Sequence, residues 1–231
     1  MSRLDEVARR FALTDAGLDA LRSIVDLQAA DPTASTTVRD PDTAADRHVA
    51  DALVALDLPA VRGARRIADL GSGAGWPGLA LAAALPDAHV ALVESAARHC
   101  RYLERAVAVA GLVNVEVVHA RVEEWRAGLD AHDLVTARAL ASLPVIVEYA
   151  APLLVEGGTL VAWKGAVDEA ESAAGTAAAE VVGLALGDVR RVRPFPKAEN
   201  HSLHVFQKVA RTPSRFPRRP GMAAKRPLAR G

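Results

Sequence analysis

The stretch IADLGSGAGWPGLALAAAL, Ile67 to Leu85, opens as a short apolar run, turns through Gly71, Gly73 and Gly75, and continues as a helical pattern from Leu79. Glycine at alternate positions permits positive φ and lets a ligand approach the backbone closely. A strand, a glycine turn and a helix in that order mark the carboxyl edge of a doubly wound sheet, where such folds bind ligands. The spacing narrows the ligand. A dinucleotide loop reads Gly-x-Gly-x-x-Gly, and a phosphate loop needs Gly-Lys-Ser/Thr. Here the pattern is Asp69-x-Gly71-x-Gly73-x-Gly75 with no lysine following, which argues against NAD and against ATP or GTP.

Outward from this stretch the pattern repeats. RIADL, HVALVE, VEVVHA, HDLVTAR and GTLVAWK read as buried strands, with helical patterns or a loop between the first four, as in a parallel sheet. A helix follows in AVDEAESAAGTAAAEVV. Two late strands, DVRRVRPF and HSLHVFQK, are close enough to form an antiparallel hairpin that closes the sheet. Before residue 60 the chain reads helical. Leu4, Val7, Ala8 and Phe11 share one face, and Thr14 caps a helix carrying Leu18, Leu21, Ile24, Val25 and Gln28. A Pro-, Thr- and Asp-rich connection over 30–43 leads to a helix from about Thr43 to Leu56 that carries Arg47, His48 and Asp51. The expected fold is therefore α/β, a doubly wound and mainly parallel seven-stranded sheet with an antiparallel last strand, preceded by an N-terminal helical segment. The expected units are 1–60 (helical), 61–210 (sheet domain) and 211–231 (tail).

The 231 residues suit one such domain. Aromatics make up only 4%, too few for a base-stacking sheet, so Ala, Val and Leu build the core. The one cysteine, Cys100, excludes an internal disulfide and a cysteine metal cluster, fits a reducing cytoplasm, and reads as a packing thiol. Charge from the third residue onward argues against a signal peptide, and no apolar run reaches membrane-spanning length. A net charge of zero conceals a division. After Glu199 there are eight basic residues (Lys208, Arg211, Arg215, Arg218, Arg219, Lys225, Arg226, Arg230) and no acidic ones, so residues 1–199 carry 20 basic against 28 acidic, a net of −8. The basic, proline-broken tail suggests a polyanionic partner and reads as extended and mobile unless bound.

Glu94 ends the strand after the glycine turn, 23 residues beyond Gly71, near the spacing at which related sheets place a ribose-binding carboxylate. With this acid, the loop resembles the first motif of class I S-adenosylmethionine-dependent methyltransferases. More of the chain, from about Val38 to Leu228, is similar to the small-subunit ribosomal RNA guanine-N7 methyltransferase family (RsmG, also called GidB). The similarity lies in VRDPDTAADRHVADAL, DLGSGAGWPGLALA, ARVEEW, TARALASL, LVAWKG and the tail TPSRFPRRPGMAAKRPL. Trp76 stands where the family usually has a smaller hydrophobic residue, and Ser35-Thr36-Thr37 stands for its Asn-Leu-Thr.

The resemblance implies a Rossmann-like fold, S-adenosyl-L-methionine as cofactor, and N7 of guanine-527 in 16S rRNA as acceptor. It implies cofactor contacts at Gly71, Trp76, Val122, Glu123 and Arg138, and the loop reading adds Asp69, Gly73 and Glu94. Val122 and Glu123 would lie near the adenine, and Arg138 near the methionine carboxylate or a substrate phosphate. Guanine N7 carries an in-plane lone pair and needs no general base, so the chemistry reduces to positioning and no catalytic acid–base residue is nominated. An A-form groove hides that edge, so the target should be unstacked. Arg47, His48, Lys164, Arg218 and Arg219 are the candidate RNA contacts. No metal is expected, and a cytoplasmic monomer is. Open alternatives are a methyltransferase for another RNA, a small molecule or a protein, an NAD-dependent oxidoreductase, and a non-catalytic RNA-binding factor.

Overall fold

The computed structural model describes residues 1–228. Seven strands form one sheet: β1 (Arg66–Leu70), β2 (His89–Glu94), β3 (Val115–His119), β4 (His132–Arg138), β5 (Leu154–Lys164), β6 (Leu184–Val192) and β7 (His201–Lys208), in the order β3-β2-β1-β4-β5-β7-β6. The first five are parallel, and β7 runs antiparallel to both β5 and β6. The late hairpin thus forms as expected, with its second strand inside. The reason is composition. β7 brings Leu203 and Phe206 to the core, whereas β6 carries Asp188, Arg190 and Arg191 and suits an edge. A register shift between Leu186 and Asp188 leaves Gly187 as a bulge there. β5 begins four residues before the expected Gly158 and passes Gly157, at φ 81°, with a second irregularity in its pairing to β4.

Helices cover both faces, as a parallel sheet requires. One face packs against α1 (Arg3–Arg10), α2 (Asp15–Ala30), the helical segment 41–57, α5 (Pro59–Arg62), α6 (Gly78–Ala84) and α7 (Ala97–Ala110). Ser2 and Asp5 form a capping box at α1, and Thr14 caps α2 by accepting from Gly17 N. The other face packs against α8 (Leu143–Ala150), α9 (Glu169–Val182) and residues of the C-terminal segment. Cys100 is buried, and burial raises its thiol pKa, consistent with a packing role.

The segment 41–57 departs from a plain helix. It starts two residues early, because Asp40 accepts from Thr43 N and Pro41 takes the first helical position. It then runs as α3 (Pro41–Ala44), a π-helical turn (Ala45–Ala50), α4 (Asp51–Leu53) and a 3-10 turn (Val54–Asp57). Two side chains take carbonyls of this region. Arg138 Nη1 donates to Arg47 O at 3.1 Å, and Trp163 Nε1 to Asp51 O at 2.8 Å. Such insertions unwind a helix locally, and the wide turn brings His48 and Asp51 toward the sheet edge.

The described part of the tail, through Leu228, is neither extended nor loose. Phe216 is buried against the second core, Arg218 pairs with Glu148, and α10 (Met222–Lys225) lies beside α8. Composition shows the prolines and the charge. It cannot show that an acid 70 residues earlier is buried and needs a cation. Arg230 lies outside the described residues.

Candidate active site

The site forms where β1 meets β2 and β4, since the chain leaves β1 in opposite directions there and opens a crevice at the carboxyl ends. Gly71, Gly73 and Gly75 all adopt positive φ (64°, 52° and 94°). Gly71 N and Ser72 N donate to Val93 O, and Gly75 N closes the turn on Ser72 O. A Cβ on Gly75 would come within 2.2 Å of Leu79 Cδ1, and one on Gly71 within 2.5 Å of Leu140 Cδ1. These two glycines are needed for backbone shape and for space at once.

Glu94 ties the turn to β2. Its Oε2 accepts from Gly73 N at 3.0 Å and its Oε1 from Ala96 N at 2.8 Å. A carboxylate oxygen has two lone-pair directions, so each keeps one for a ligand hydroxyl. The crevice, of about 440 Å³, is lined by Gly71, Gly73, Trp76, Glu94 and Arg138 among others. A nucleoside carrying an amino-acid tail fits these walls: a two-oxygen acceptor for ribose at one end and a guanidinium at the other, with a backbone turn free of side chains between them.

The structure separates the expected site residues into those that reach this crevice and those that do not. Asp69 sits behind the turn, 1% exposed, its Oδ1 accepting from Thr136 Oγ1 at 2.8 Å. Its carboxylate shapes the loop from beneath and does not line the crevice. Burial raises its pKa to about 6, against the opposing effect of the Thr136 hydrogen bond. Trp76 borders the crevice but is mostly turned inward, 4% exposed, its Nε1 donating to Gln28 Oε1 at 2.8 Å and its ring stacked with His48, centroids 5.7 Å apart. Val122 and Glu123, in a 3-10 turn (Val122–Glu124), stand apart from the crevice lining. Val122 packs on the second core, and Glu123 Oε1 accepts from Gly221 N at 2.9 Å, fastening the C-terminal segment.

Arg138 is held from the helical side. Its Nη1 bonds Asp51 Oδ2 at 2.8 Å as well as Arg47 O, and its Nη2 lies 3.2 Å from His48 Nδ1. Of five guanidinium N–H groups, these take three and leave two for a ligand. Because arginine can only donate, His48 Nδ1 must accept, and the ring proton sits on Nε2, 3.1 Å from Thr36 Oγ1. Burial and then the Arg138 charge lower the His48 pKa to about 4, so the imidazole is neutral.

Beside the crevice a larger cavity of about 1020 Å³ opens between segment 35–48 and the β6–β7 connection, lined by Arg3, Arg47, Phe195, Lys197 and His201 among others. Thr36, His48 and Arg138 line both spaces. Of the expected RNA contacts, Arg47 and His48 reach this junction. Lys164 is drawn to Glu171 Oε1 at 2.7 Å and borders a smaller recess with Asp51 and His201. Arg218 is committed to Glu148, while Arg219 is exposed. Sequence reasoning missed Phe195 and Lys197, which sit in the β6–β7 connection with no motif, His201, which it read only as the start of a strand, and Gln28, whose core position hid its amide. Thr36 had one signal, its place among three hydroxyl residues at a point of departure from the family pattern. No group of three or more potential metal ligands occurs among the described residues, and no helix among them is long and apolar enough to cross a membrane.

Comparison with known proteins agrees with this geometry. Among solved structures, an Aeropyrum pernix fibrillarin in complex with S-adenosyl-L-methionine superposes with a TM-score of 0.55 at 20% identity, over 68% of this chain and 73% of that one. A 16S rRNA (adenine(1408)-N(1))-methyltransferase variant from Catenulisporales acidiphilia gives 0.54 at 20% identity, over 67% and 90%. At that identity they show the fold, that of class I methyltransferases. In sequence, "Ribosomal RNA small subunit methyltransferase G" of Rubrobacter xylanophilus is 41% identical over 199 residues, 84% of this chain and 76% of the relative. The protein of the same name from Roseiflexus castenholzii is 41% identical over 205 residues, 84% and 83%. Residues 31–194 match the family described as GidB, rRNA small subunit methyltransferase G, and the chain belongs to that family.

Proposed function

We propose that this protein uses S-adenosyl-L-methionine to methylate N7 of a guanine in 16S rRNA, the acceptor being guanine-527, within the small ribosomal subunit. The observation that carries the reading is the junction: the crevice over the glycine turn shares Thr36, His48 and Arg138 with a roomier cavity in which Arg3, Arg47 and Lys197 outnumber Asp42 and Asp46. One space suits the donor, the other an unstacked base with its phosphates.

When bound, the cofactor supplies an electrophilic sulfonium methyl. The protein's own residues position and shield. Glu94 receives the ribose hydroxyls, the turn at Gly71–Gly75 lets the nucleoside lie against backbone, and the two uncommitted N–H groups of Arg138 face the amino-acid carboxylate. Arg47 and Lys197 meet the phosphates beside the base. An N7 lone pair placed in line with that methyl would need no base, the N–C bond forming as the S–C bond breaks and S-adenosylhomocysteine leaves, so a neutral His48 would cost the reaction nothing. This is the near-attack arrangement in which holding the two atoms together is most of the catalysis.

Arg219 is exposed, as are Arg211, Arg215, Lys225 and Arg226, and we assign it to the RNA backbone together with Arg47. Val122 and Glu123 would approach the adenine only through their turn. The protein works as a cytoplasmic monomer, with a helical segment over 1–60, a methyltransferase domain over 61–210 and the C-terminal segment 211–231. Mass mapping of N7-methylguanine in small-subunit RNA, from cells with and without this protein, tests the reading. One methylated guanine that disappears with the protein is expected. An unchanged map refutes it.

A further inference from the structure

We infer that Thr36 reads the acceptor base, donating its hydroxyl proton to O6 of the guanine whose N7 is methylated and so excluding adenine at that position. The inference rests on the function proposed above and deepens it.

The argument is one of counting. A threonine hydroxyl has one proton and two lone pairs, and it normally serves either kind of partner by rotating. Here both lone pairs are taken. Val38 N donates to Thr36 Oγ1 at 3.1 Å. His48 Nε2 lies 3.1 Å away, and it carries the ring proton because the opposite nitrogen faces Arg138 at 3.2 Å. Arg138 is in turn fixed by Asp51 Oδ2 at 2.8 Å, with Asp51 itself buried. The chain Asp51–Arg138–His48–Thr36 therefore runs in one direction and ends in a hydroxyl that can only donate. Neither bond uses its proton, and no acceptor for that proton is found among the described residues.

Thr36 lies at the junction, lining both the crevice and the larger cavity, where donor methyl and acceptor base must meet. On the edge that bears N7, guanine presents two acceptors, N7 and O6, whereas adenine presents N7 and an amino donor. A group restricted to donation beside N7 pairs with O6. Against adenine it sets proton against proton. A free hydroxyl would accept either base, and the locked one does not. Rejection by an unmatched polar contact in a desolvated site is stronger than any difference in shape could supply.

The test is a cycle between Thr36→Val and removal of O6. The guanine identified by mass mapping is replaced, in reconstituted small subunits, by 2-aminopurine, which keeps N7 and lacks O6. With the wild-type protein this replacement is expected to lower kcat/KM by about ten- to a hundredfold. Thr36→Val is expected to cause a similar loss on guanine, and little further loss on 2-aminopurine. Thr36→Ser should recover most of the guanine activity. Binding of S-adenosylhomocysteine should stay at the wild-type value in Thr36→Val, which a merely structural role would not allow, while losing the acceptor for Val38 N and His48 Nε2 lowers the melting temperature somewhat. Additive losses in the cycle overturn the inference, as does an equal loss of S-adenosylhomocysteine affinity, which would place the hydroxyl on the cofactor. Wild-type protein that methylates no guanine in the subunit refutes the parent reading instead, a result distinct from either.

Discussion

Arg218 grips the carboxylate of Glu148 with two nitrogens, Nε lying 2.6 Å from Oε1 and Nη2 reaching Oε2. Glu148 is 1% exposed on α8, so this pair helps Phe216 and the Glu123–Gly221 bond to anchor the C-terminal segment over the second core. Removing one partner of such a pair strands a charge, whereas removing both can be nearly neutral. Arg218→Met is expected to destabilise the protein by about 3 kcal/mol, and Arg218→Met with Glu148→Gln to regain most of that. Urea unfolding measures both. A single substitution as stable as the wild type would show that the anchor is decorative.

Docking divides the tail's cations into two kinds. Arg218 is spent internally, while Arg215, Arg219 and Lys225 are exposed on the docked segment. Each phosphate contact contributes about 0.7 to 0.9 to the slope of log affinity against log salt. Replacing Arg215, Arg219 and Lys225 with serine is expected to flatten the slope for small-subunit RNA by about 2 and to leave the melting temperature unchanged. An unaltered slope would remove the tail from the RNA interface.

The parallel strands were legible because buried ones are continuous apolar runs: β1, β2 and β4 begin and end at the residues that RIADL, HVALVE and HDLVTAR suggest, and the antiparallel β7 matches HSLHVFQK as well. The glycine turn and Glu94 were legible because backbone shape and ribose recognition both tie a residue type to a spacing. The inward turn of Trp76 was not, since it depends on Gln28, 48 residues away, offering an amide oxygen. Nor was the tail's docking, or the service of Glu123 to Gly221, because long-range pairs between polar groups leave no periodicity. The π-helical turn escaped for the same reason. Its causes, Arg138 and Trp163, belong to other strands.

Glu94 holds two backbone N–H groups with two oxygens. Glutamine in its place has one acceptor oxygen and would turn its amide hydrogens on either Gly73 N or Ala96 N. Glu94→Gln is therefore expected to weaken S-adenosylhomocysteine binding by ten- to a hundredfold, through the lost ribose acceptor and the loosened turn together, and to lower stability by about 1–2 kcal/mol. Isothermal titration and thermal unfolding read the two effects. Full affinity in a folded variant would place the ribose elsewhere.

His48 and Asp69 set opposing dependences on pH in one site. The folded protein holds His48 at about 4, below the unfolded value of 6.5, so between those values the unfolded chain binds the proton that the folded one refuses. Stability from this group is complete above pH 6.5 and is lost as pH falls toward 4. Asp69 is held at about 6, above its unfolded 3.8, so the folded chain binds the extra proton, and stability from this group grows as pH falls from 6 toward 4. At 1.36 kcal/mol per unit each effect is at most about 3 kcal/mol, and the two nearly offset where they overlap. Asp69→Asn should thus leave the His48 effect exposed, its melting temperature falling relative to wild type as pH drops from 6 to 4. His48→Gln should do the reverse and gain on the wild type over the same range. Differential scanning calorimetry at pH 4, 5, 6 and 7 reads both curves, and parallel curves for the two variants and the wild type would show that neither group is displaced from its ordinary titration.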